Sequence, residues 1–332
     1  MADNKAETQP AGVQVEVNLL PGKRGLWSRL GDHYKKWWWL HLIVLVVIVL
    51  VITLLVVYVA YPRIAQNDVN ASTLNITQLV ITDPTPDSFH VNQTQILGNK
   101  ATYHPTIYAF NATISLVGAT APIAYALVPQ IQANDGEVIH VAQTLQLSNP
   151  SAMADFSKAI LNDEEVELNF YGRPDLKEGG LPTRVVTFNK TVTLKGLNGL
   201  KGFDITDVNI LPTTDSNSDS LEMNGTVYIP NPSVLTVAMG NITLDLSVDG
   251  SYIGQSFLND FTLVPGNNTL PMTSTVNQTQ IIALLTGPYK NGVLPIDIRG
   301  NKSVYNGVEI PYFSEALASN QLAVNLNVTE AI

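Results

Sequence analysis

In Asn241-Ile242-Thr243-Leu244-Asp245-Leu246-Ser247-Val248-Asp249-Gly250 every second residue of the first eight is aliphatic. A period of two places Ile242, Leu244, Leu246 and Val248 on one face of a half-buried strand, and Asn241, Thr243, Asp245 and Ser247 on the other. Asp249-Gly250 readily takes the positive φ angles of a two-residue hairpin turn. The return strand runs through Tyr252, Ile253 and Phe257, and Pro265-Gly266-Asn267-Asn268 turns the chain into residues 269–276. Then the period changes. Ile281, Ile282, Leu284 and Leu285 share one helical face, with Asn277 as N-cap and Gly287 as C-terminal stop.

Working outward, the same order of signals occurs earlier in the chain, at an offset of about 130 residues. Ser88-Phe89-His90-Val91-Asn92 parallels Ser220-Leu221-Glu222-Met223-Asn224, and Asn111-Ala112-Thr113-Ile114-Ser115-Leu116 parallels Asn241-Ile242-Thr243-Leu244-Asp245-Leu246. Asp155-Phe156-Ser157-Lys158-Ala159-Ile160-Leu161 matches Gln280-Ile281-Ile282-Ala283-Leu284-Leu285 in place, and Ser151 would cap this earlier helix. A tandem duplication accounts for the order, with its boundary in the polar run at 213–220. The expected fold class is all-β with one N-terminal transmembrane helix. Residues 63–212 and 213–332 form two tandem β-sandwiches of about seven strands, each with a short helix.

The 332 residues include 18 Lys+Arg, 28 Asp+Glu and no Cys, and only 14% are charged. Zero Cys excludes disulfides, thiolate metal sites and a thiol nucleophile. A net charge of −10 argues against a nucleic-acid binder, which needs a basic face. Asn and Thr, 29 of each, make the surface polar without making it ionic.

Residues 37–62 contain no charge, and within 40–60 only His41, Thr53 and the closing aromatic Tyr58 interrupt an apolar run. At 1.5 Å per residue, about 20 residues cross a bilayer core. Trp37, Trp38 and Trp39 at one end and Tyr58 and Tyr61 at the other suit the aromatic belts of the two interfaces. A cleaved signal peptide is the weaker reading: the polar flank is long, the apolar run exceeds a signal's, and no small-residue cleavage site follows. Lys23, Arg24, Arg29, Lys35 and Lys36 precede the span, and only Arg63 follows before Lys100. The positive-inside rule then sets the N-terminus in the cytosol and residues 63–332 in a lumen or outside the cell, a type II signal-anchor. Residues 1–36 read as a disordered cytosolic tail ending in a basic segment suited to anionic lipid headgroups. Leu19-Leu20 after Glu16 is near an acidic di-leucine sorting signal, with the acid one position out of place.

The sequons agree with that direction. After residue 62, 27 Asn and 44 Ser or Thr in 270 residues predict about four N-x-S/T matches by chance. There are eleven, at Asn70, Asn75, Asn92, Asn111, Asn189, Asn224, Asn241, Asn267, Asn277, Asn301 and Asn327, and none precedes the span. Asn149 and Asn231 are excluded because Pro follows each. A glycosylated lumenal domain is the expectation.

The second copy resembles the late-embryogenesis-abundant type 2 (water-stress and hypersensitive-response) fold over about residues 221–328. The motifs that carry the resemblance are Asn231-Pro232-Ser233-Val234-Leu235-Thr236-Val237, the alternating strand, and Gly250-Ser251-Tyr252-Ile253-Gly254. The first copy has no Asn-Pro at the equivalent place, and Ala124 stands roughly where Gly254 does. The layout of tail, span, two modules and many sequons is similar to a fungal family of membrane proteins of unknown function, some associated with the vacuole. The resemblance implies immunoglobulin-like sandwiches, no catalytic residues and no cofactor. It makes the vacuolar membrane the first expectation for location, with the endoplasmic reticulum and plasma membrane as alternatives.

Chemistry-bearing patterns are few. His90, His104 and His140 have no partner at metal-ligand spacing, and each reads as an ordinary strand or surface histidine. Asp163-Glu164-Glu165-x-Glu167 is the densest acidic run and could hold Ca²⁺, although a solvated loop explains it better. Pro232 and Gly254 read as structural, Gly254 as the site of a bulge or a close backbone approach. The expected function is a non-enzymatic, membrane-tethered binding or adaptor module with an unknown lumenal protein or lipid partner. Lipid binding or transfer beside the bilayer is the alternative, and a glycan- or ester-processing enzyme the least supported reading.

Overall fold

The computed structural model describes residues 26–211 and 220–327, and the chain divides after Val59 into two compact units. In the first, helix α1 (Leu26–Leu55) is kinked at Trp37, whose φ of −122° and ψ of 17° leave the helical region, and a π-helical turn follows at Val56–Ala60. Thr53 Oγ1 donates to the Val49 carbonyl at 2.8 Å, so the threonine hydroxyl within the apolar run is satisfied inside the helix. Among the described residues one stretch of helix, Trp37–Ala71, is long and apolar enough to cross a membrane.

Two sequence expectations change here. Residues 26–36, expected in a disordered tail, are helical. Leu26, Leu30 and Tyr34 recur at every fourth position, a period that the surrounding cations obscure. The helical run also does not stop at Pro62, because α2 (Tyr61–Ala71) carries Pro62 in its first turn, where a missing N–H costs nothing. The π-helical turn lies where the proline ring would otherwise press on the carbonyl four residues back. Lys23, Arg24 and the Leu19-Leu20 pair lie outside the described residues.

The second unit opens with α2, which buries Tyr61, Ala65 and Val69 at a spacing of four. Gln66 behaves like a short strand segment: its Nε2 donates to the Thr187 carbonyl and its Oε1 accepts the Thr187 N–H, both at 2.8 Å. Lys190 is 6% exposed and donates from Nζ to the carbonyls of Asn70, at 3.1 Å, and Ser72, placing a cation at the C-terminal end of α2. Burial lowers the Lys190 pKa from its usual 10.5. The folded state therefore binds fewer protons than the unfolded one between the lowered value and 10.5, so this residue's contribution to stability rises with pH across that window. In Lys190→Met that alkaline gain should vanish, which thermal melts between pH 7 and pH 10 would show.

Strands β1 (Thr73–Thr82), β2 (Ser88–Gly98), β3 (Thr106–Ile107), β4 (Phe110–Leu116), β5 (Ala124–Val128), β6 (Ile131–Gln132) and β7 (Glu137–Gln146) precede helix α3 (Pro150–Asn162). Then come β8 (Glu165–Gly172), β9 (Asp175–Lys177), β10 (Arg184–Val185) and β11 (Phe188–Lys195). The second half holds β12 (Asp204–Ile210), β13 (Ser220–Asn231), β14 (Leu235–Val248), β15 (Ser251–Leu263), β16 (Gly266–Asn277) and helix α4 (Gln278–Thr286). It closes with β17 (Val293–Tyr305), β18 (Val308–Glu309), helix α5 (Pro311–Ser319) and β19 (Gln321–Asn327).

The pairings repeat in order. In the first half β1 pairs with β2, β2 with β7, β4 with β5 and β8, and β8 with β11. In the second, β12 pairs with β13, β13 with β16, β14 with β15 and β17, and β17 with β19. Each half has a helix between its fifth and sixth major strands. The halves are not separate bodies, because β14 uses one edge twice. Leu235, Thr236 and Val237 run parallel to Leu79, Val80 and Ile81 of β1, and from Asn241 onward the same edge pairs with β17. One sheet thus passes from the first half into the second, and the two share a continuous apolar core.

Local chemistry follows the sequence in most places. Asp249 and Gly250 take φ of 49° and 76° between the paired Val248 and Ser251, a two-residue turn. Asn277 caps α4 by accepting the Gln280 N–H at 2.9 Å, and Gly287 ends it. The cap of α3, however, is Asn149 and not Ser151. Asn149 Oδ1 accepts the N–H groups of Ser151 and Ala152, and Pro150 fills the first turn. Pro150 favours an extended conformation at Asn149, which is what a capping residue needs. Asn149→Ala should then cost about 1 kcal/mol, whereas Ser151→Ala should stay within about 0.5 kcal/mol, as read from denaturant midpoints.

Candidate functional site

An apolar concavity lies where α3 and α5 meet the sheet of the second half. Met153, Phe156 and Ile160 of α3 and Phe313, Ala316 and Leu317 of α5 face the aliphatic side of β14, β15 and β17. Between them is an apolar cavity of about 100 Å³. That is below the roughly 300–1,000 Å³ of a site enclosing a whole small molecule, so it suits a segment of aliphatic chain and not a ring system. Of the described residues lining it, only Ser157 and Asn320 carry polar side chains. Ser157 Oγ donates to the Met153 carbonyl at 2.8 Å and Asn320 Nδ2 to the Gly199 carbonyl at 3.1 Å, so both are engaged in structure.

The two helices are tied together beside this cavity. Lys158 Nζ donates to Glu315 Oε2 at 2.8 Å, and Asn162 Nδ2 donates to Ser319 Oγ at 2.8 Å. The bond to Glu315 raises the Lys158 pKa. Glu315 is exposed and Lys158 about a third exposed, so solvent screens the pair and it adds little to stability. A second apolar cavity of about 250 Å³ lies in the second half beside α4, lined by Met223, Ile253, Val276, Ile281 and Leu294 among others.

The titratable residues singled out in the sequence are not brought together. His90 Nδ1 sits 3.3 Å from Thr144 Oγ1, His140 Nδ1 3.2 Å from Thr94 Oγ1, and His104 Nδ1 3.2 Å from the Ala133 carbonyl. Among the described residues no group of three His, Asp or Glu could hold a metal ion. In the acidic run, Asp163 ends α3, and the Asp163 and Glu164 carbonyls accept the N–H groups of Asn198 and Gly196. Glu165 and Glu167 project from the exposed face of β8. Asp245 accepts from Gln255 Nε2 at 2.9 Å and Asn301 Nδ2 at 2.8 Å, and Asp249 accepts the Tyr289 hydroxyl at 2.7 Å.

The asparagines sort by environment. Asn70, Asn75, Asn92, Asn111, Asn189, Asn241, Asn267, Asn301 and Asn327 are exposed, and Asn224 and Asn277 half-buried. The buried asparagines, Asn99, Asn231 and Asn268, are all outside sequons. Each bonds backbone: Asn99 Nδ2 donates to the Ala133 carbonyl at 2.5 Å, Asn231 Nδ2 to Leu235, and Asn268 Nδ2 to Ile229 and Val264. Of the aromatic residues at the ends of the span, Trp37, Trp38, Trp39 and Tyr58 are exposed. Tyr61, expected beside them as an interface anchor, is instead 9% exposed and joins the apolar core of the second unit. Its position in the chain suggested a belt residue, but the helical spacing to Ala65 and Val69 is what governs it. Arg29, Lys35 and Lys36 fall within α1.

The sequence reading missed α5, the cavity that it closes, and the anchoring pair Gln66 and Lys190. Pro311 followed by Tyr312, Phe313, Ala316 and Leu317 was the available signal for α5.

The model of a family described as a protein of unknown function (DUF3712) matches residues 121–246. No curated protein matches the chain. Among solved structures, a protein from Archaeoglobus fulgidus is 13% identical, covering 38% of this chain and 94% of its own, with a TM-score of 0.22. Red sea bream transglutaminase is 10% identical over 75% of this chain and 31% of its own, with a TM-score of 0.21. A bacterial adhesin from Mobiluncus mulieris is 12% identical over 77% and 98%, also with a TM-score of 0.21. Likenesses this distant carry no argument about fold or activity.

Proposed function

We propose that this chain is a single-pass, N-in membrane glycoprotein whose lumenal part binds a partner and performs no catalysis. The observation that carries the reading is the mounting of α2. The helix that follows the apolar span is fixed to the β-body by a buried apolar stripe, by Gln66 on Thr187 and by Lys190 on its last carbonyls. A β-body with its leading helix clamped in place suits the presentation of a fixed surface, with sites on loops and outer faces. The flanking cations support the direction, and the excess of sequons after the span, none of them buried, supports a lumenal environment. The repeated pairing pattern supports reading each half as an immunoglobulin-like sandwich of the late-embryogenesis-abundant type 2 kind, three strands facing four. The resemblance to a fungal family favours the vacuolar membrane.

A second reading, lipid binding or transfer, is favoured by the apolar cavity under α3 and α5. Two engaged polar side chains in an aliphatic lining leave nothing to recognise a polar ligand, whereas an acyl segment would be at home there. Full-length protein extracted in mild detergent separates the two. A partner protein retained in fixed ratio, with no lipid by native mass spectrometry, supports the adaptor reading. One acyl lipid per chain supports the second, and turnover of any glycan or ester by the purified protein would contradict both.

A further inference from the structure

The outer face of the sheet formed by β5, β4, β8 and β11 carries one row that crosses all four strands. Tyr125 stands opposite Thr113, Thr113 opposite Tyr171, and Tyr171 opposite Asn189. Tyr125 is 56% and Tyr171 43% exposed, and Asn189 is exposed on the same face. The other sequon of this sheet, Asn111, stands opposite the exposed Leu127. Exposed tyrosines are ordinary in strands. What sets this row apart is that an acceptor asparagine faces the ring directly across a strand pair.

We propose that Asn189 is glycosylated and that its first sugar packs on the ring of Tyr171, so that the glycan covers the aromatic row. This rests on the lumenal placement of residues 63–332 argued above. Directly opposite residues have Cβ atoms about 5 Å apart, so a sugar leaving Asn189 Nδ2 starts beside the ring. The C–H face of a pyranose and the negative face of an aromatic ring are complementary. Asn169 Nδ2 donates to Asn189 Oδ1 at 2.7 Å, which fixes the carboxamide and leaves the attachment nitrogen outside that bond. In the transfer itself, Nδ2 forms a bond to the anomeric carbon of an oligosaccharide carried on a polyisoprenyl pyrophosphate. The bond from that carbon to the pyrophosphate breaks, and the proton lost from nitrogen goes with the leaving pyrophosphate.

The test uses full-length protein from a eukaryotic secretory host. Peptide mass spectrometry reads occupancy at each sequon, and thermal midpoints are compared before and after a peptide N-glycosidase, which removes the first sugar with the rest of the glycan, for wild type, Tyr171→Thr, Tyr171→Phe and Asn189→Gln. The expected result is glycan at Asn189 and a loss of about 2–4 °C on deglycosylation, the size of a single favourable contact in a body this large. That loss should persist in Tyr171→Phe and disappear in Tyr171→Thr and Asn189→Gln. A bare Asn189 beside occupied sequons elsewhere, or the same loss in Tyr171→Thr as in wild type, overturns this inference alone. No glycan at any of the eleven sequons would overturn the lumenal placement with it.

Discussion

Gly254→Ala is expected to lower stability by about 3 kcal/mol or more and the melting temperature by on the order of 10 °C. A Cβ at Gly254 would lie 2.2 Å from the Thr275 carbonyl oxygen and 2.7 Å from the Val276 Cα, both backbone atoms that cannot rotate aside. Relief requires β15 and β16 to separate. They are joined through Gly254, Gln255, Ser256 and Phe257 against Val276, Thr275, Ser274 and Thr273, so little pairing would survive. Separation would also break the 2.7 Å bond between the buried hydroxyls of Ser256 and Ser274. The same glycine follows a bulge, since Leu246 pairs with Gly254 and Ser247 with Tyr252, leaving Ile253 as the extra residue. Calorimetry on the variant checks the expectation, and a shift under about 2 °C would mean that β16 yields without cost.

Asn231→Ala should be nearly as damaging, at about 3 kcal/mol. Asn231 is 3% exposed and organises the turn from β13 to β14. Its Nδ2 donates to the Leu235 carbonyl at 2.8 Å, and its Oδ1 accepts the Ser233 N–H at 2.9 Å and the Ser233 hydroxyl at 2.6 Å. Alanine would leave these buried groups without their partner, and an orphaned buried group costs about 1–3 kcal/mol. The effect should exceed that of Asn149→Ala, because the capped N–H groups at the start of α3 are nearer solvent. Asn231→Asp should recover part of the loss by keeping the acceptor. Equal midpoints for the Ala and Asp variants would contradict this account of the turn.

Both residues belong to motifs that were visible in the sequence, and the reason is local. A period of two, an Asp-Gly turn and an Asn-Pro step each express constraints that act within a few residues. The expected bulge or close approach at Gly254 proved to be both. What was hidden depends on distant partners. The spacing of Tyr61, Ala65 and Val69 marks one helical face, but what holds that helix to the body, Thr187 and Lys190, lies more than one hundred positions away. The parallel contact of β1 with β14 was equally hidden, although it makes one body of two similar halves. The cavity needs α3 from the first half and α5 from the second, and α5 has no counterpart in the duplicated pattern. Among the described asparagines the buried ones, Asn99, Asn231 and Asn268, all lie outside the sequons.

The central claim is the direction of the chain across the membrane, on which the glycan and partner proposals both rest. It is tested most directly by protease digestion of sealed vesicles, with an N-terminal tag and a lumenal epitope followed before and after endoglycosidase. The account predicts loss of the tag, a protected fragment covering residues 63–332 and a faster-migrating fragment after deglycosylation. Digestion of the lumenal epitope in intact vesicles, with no mobility shift, would contradict it.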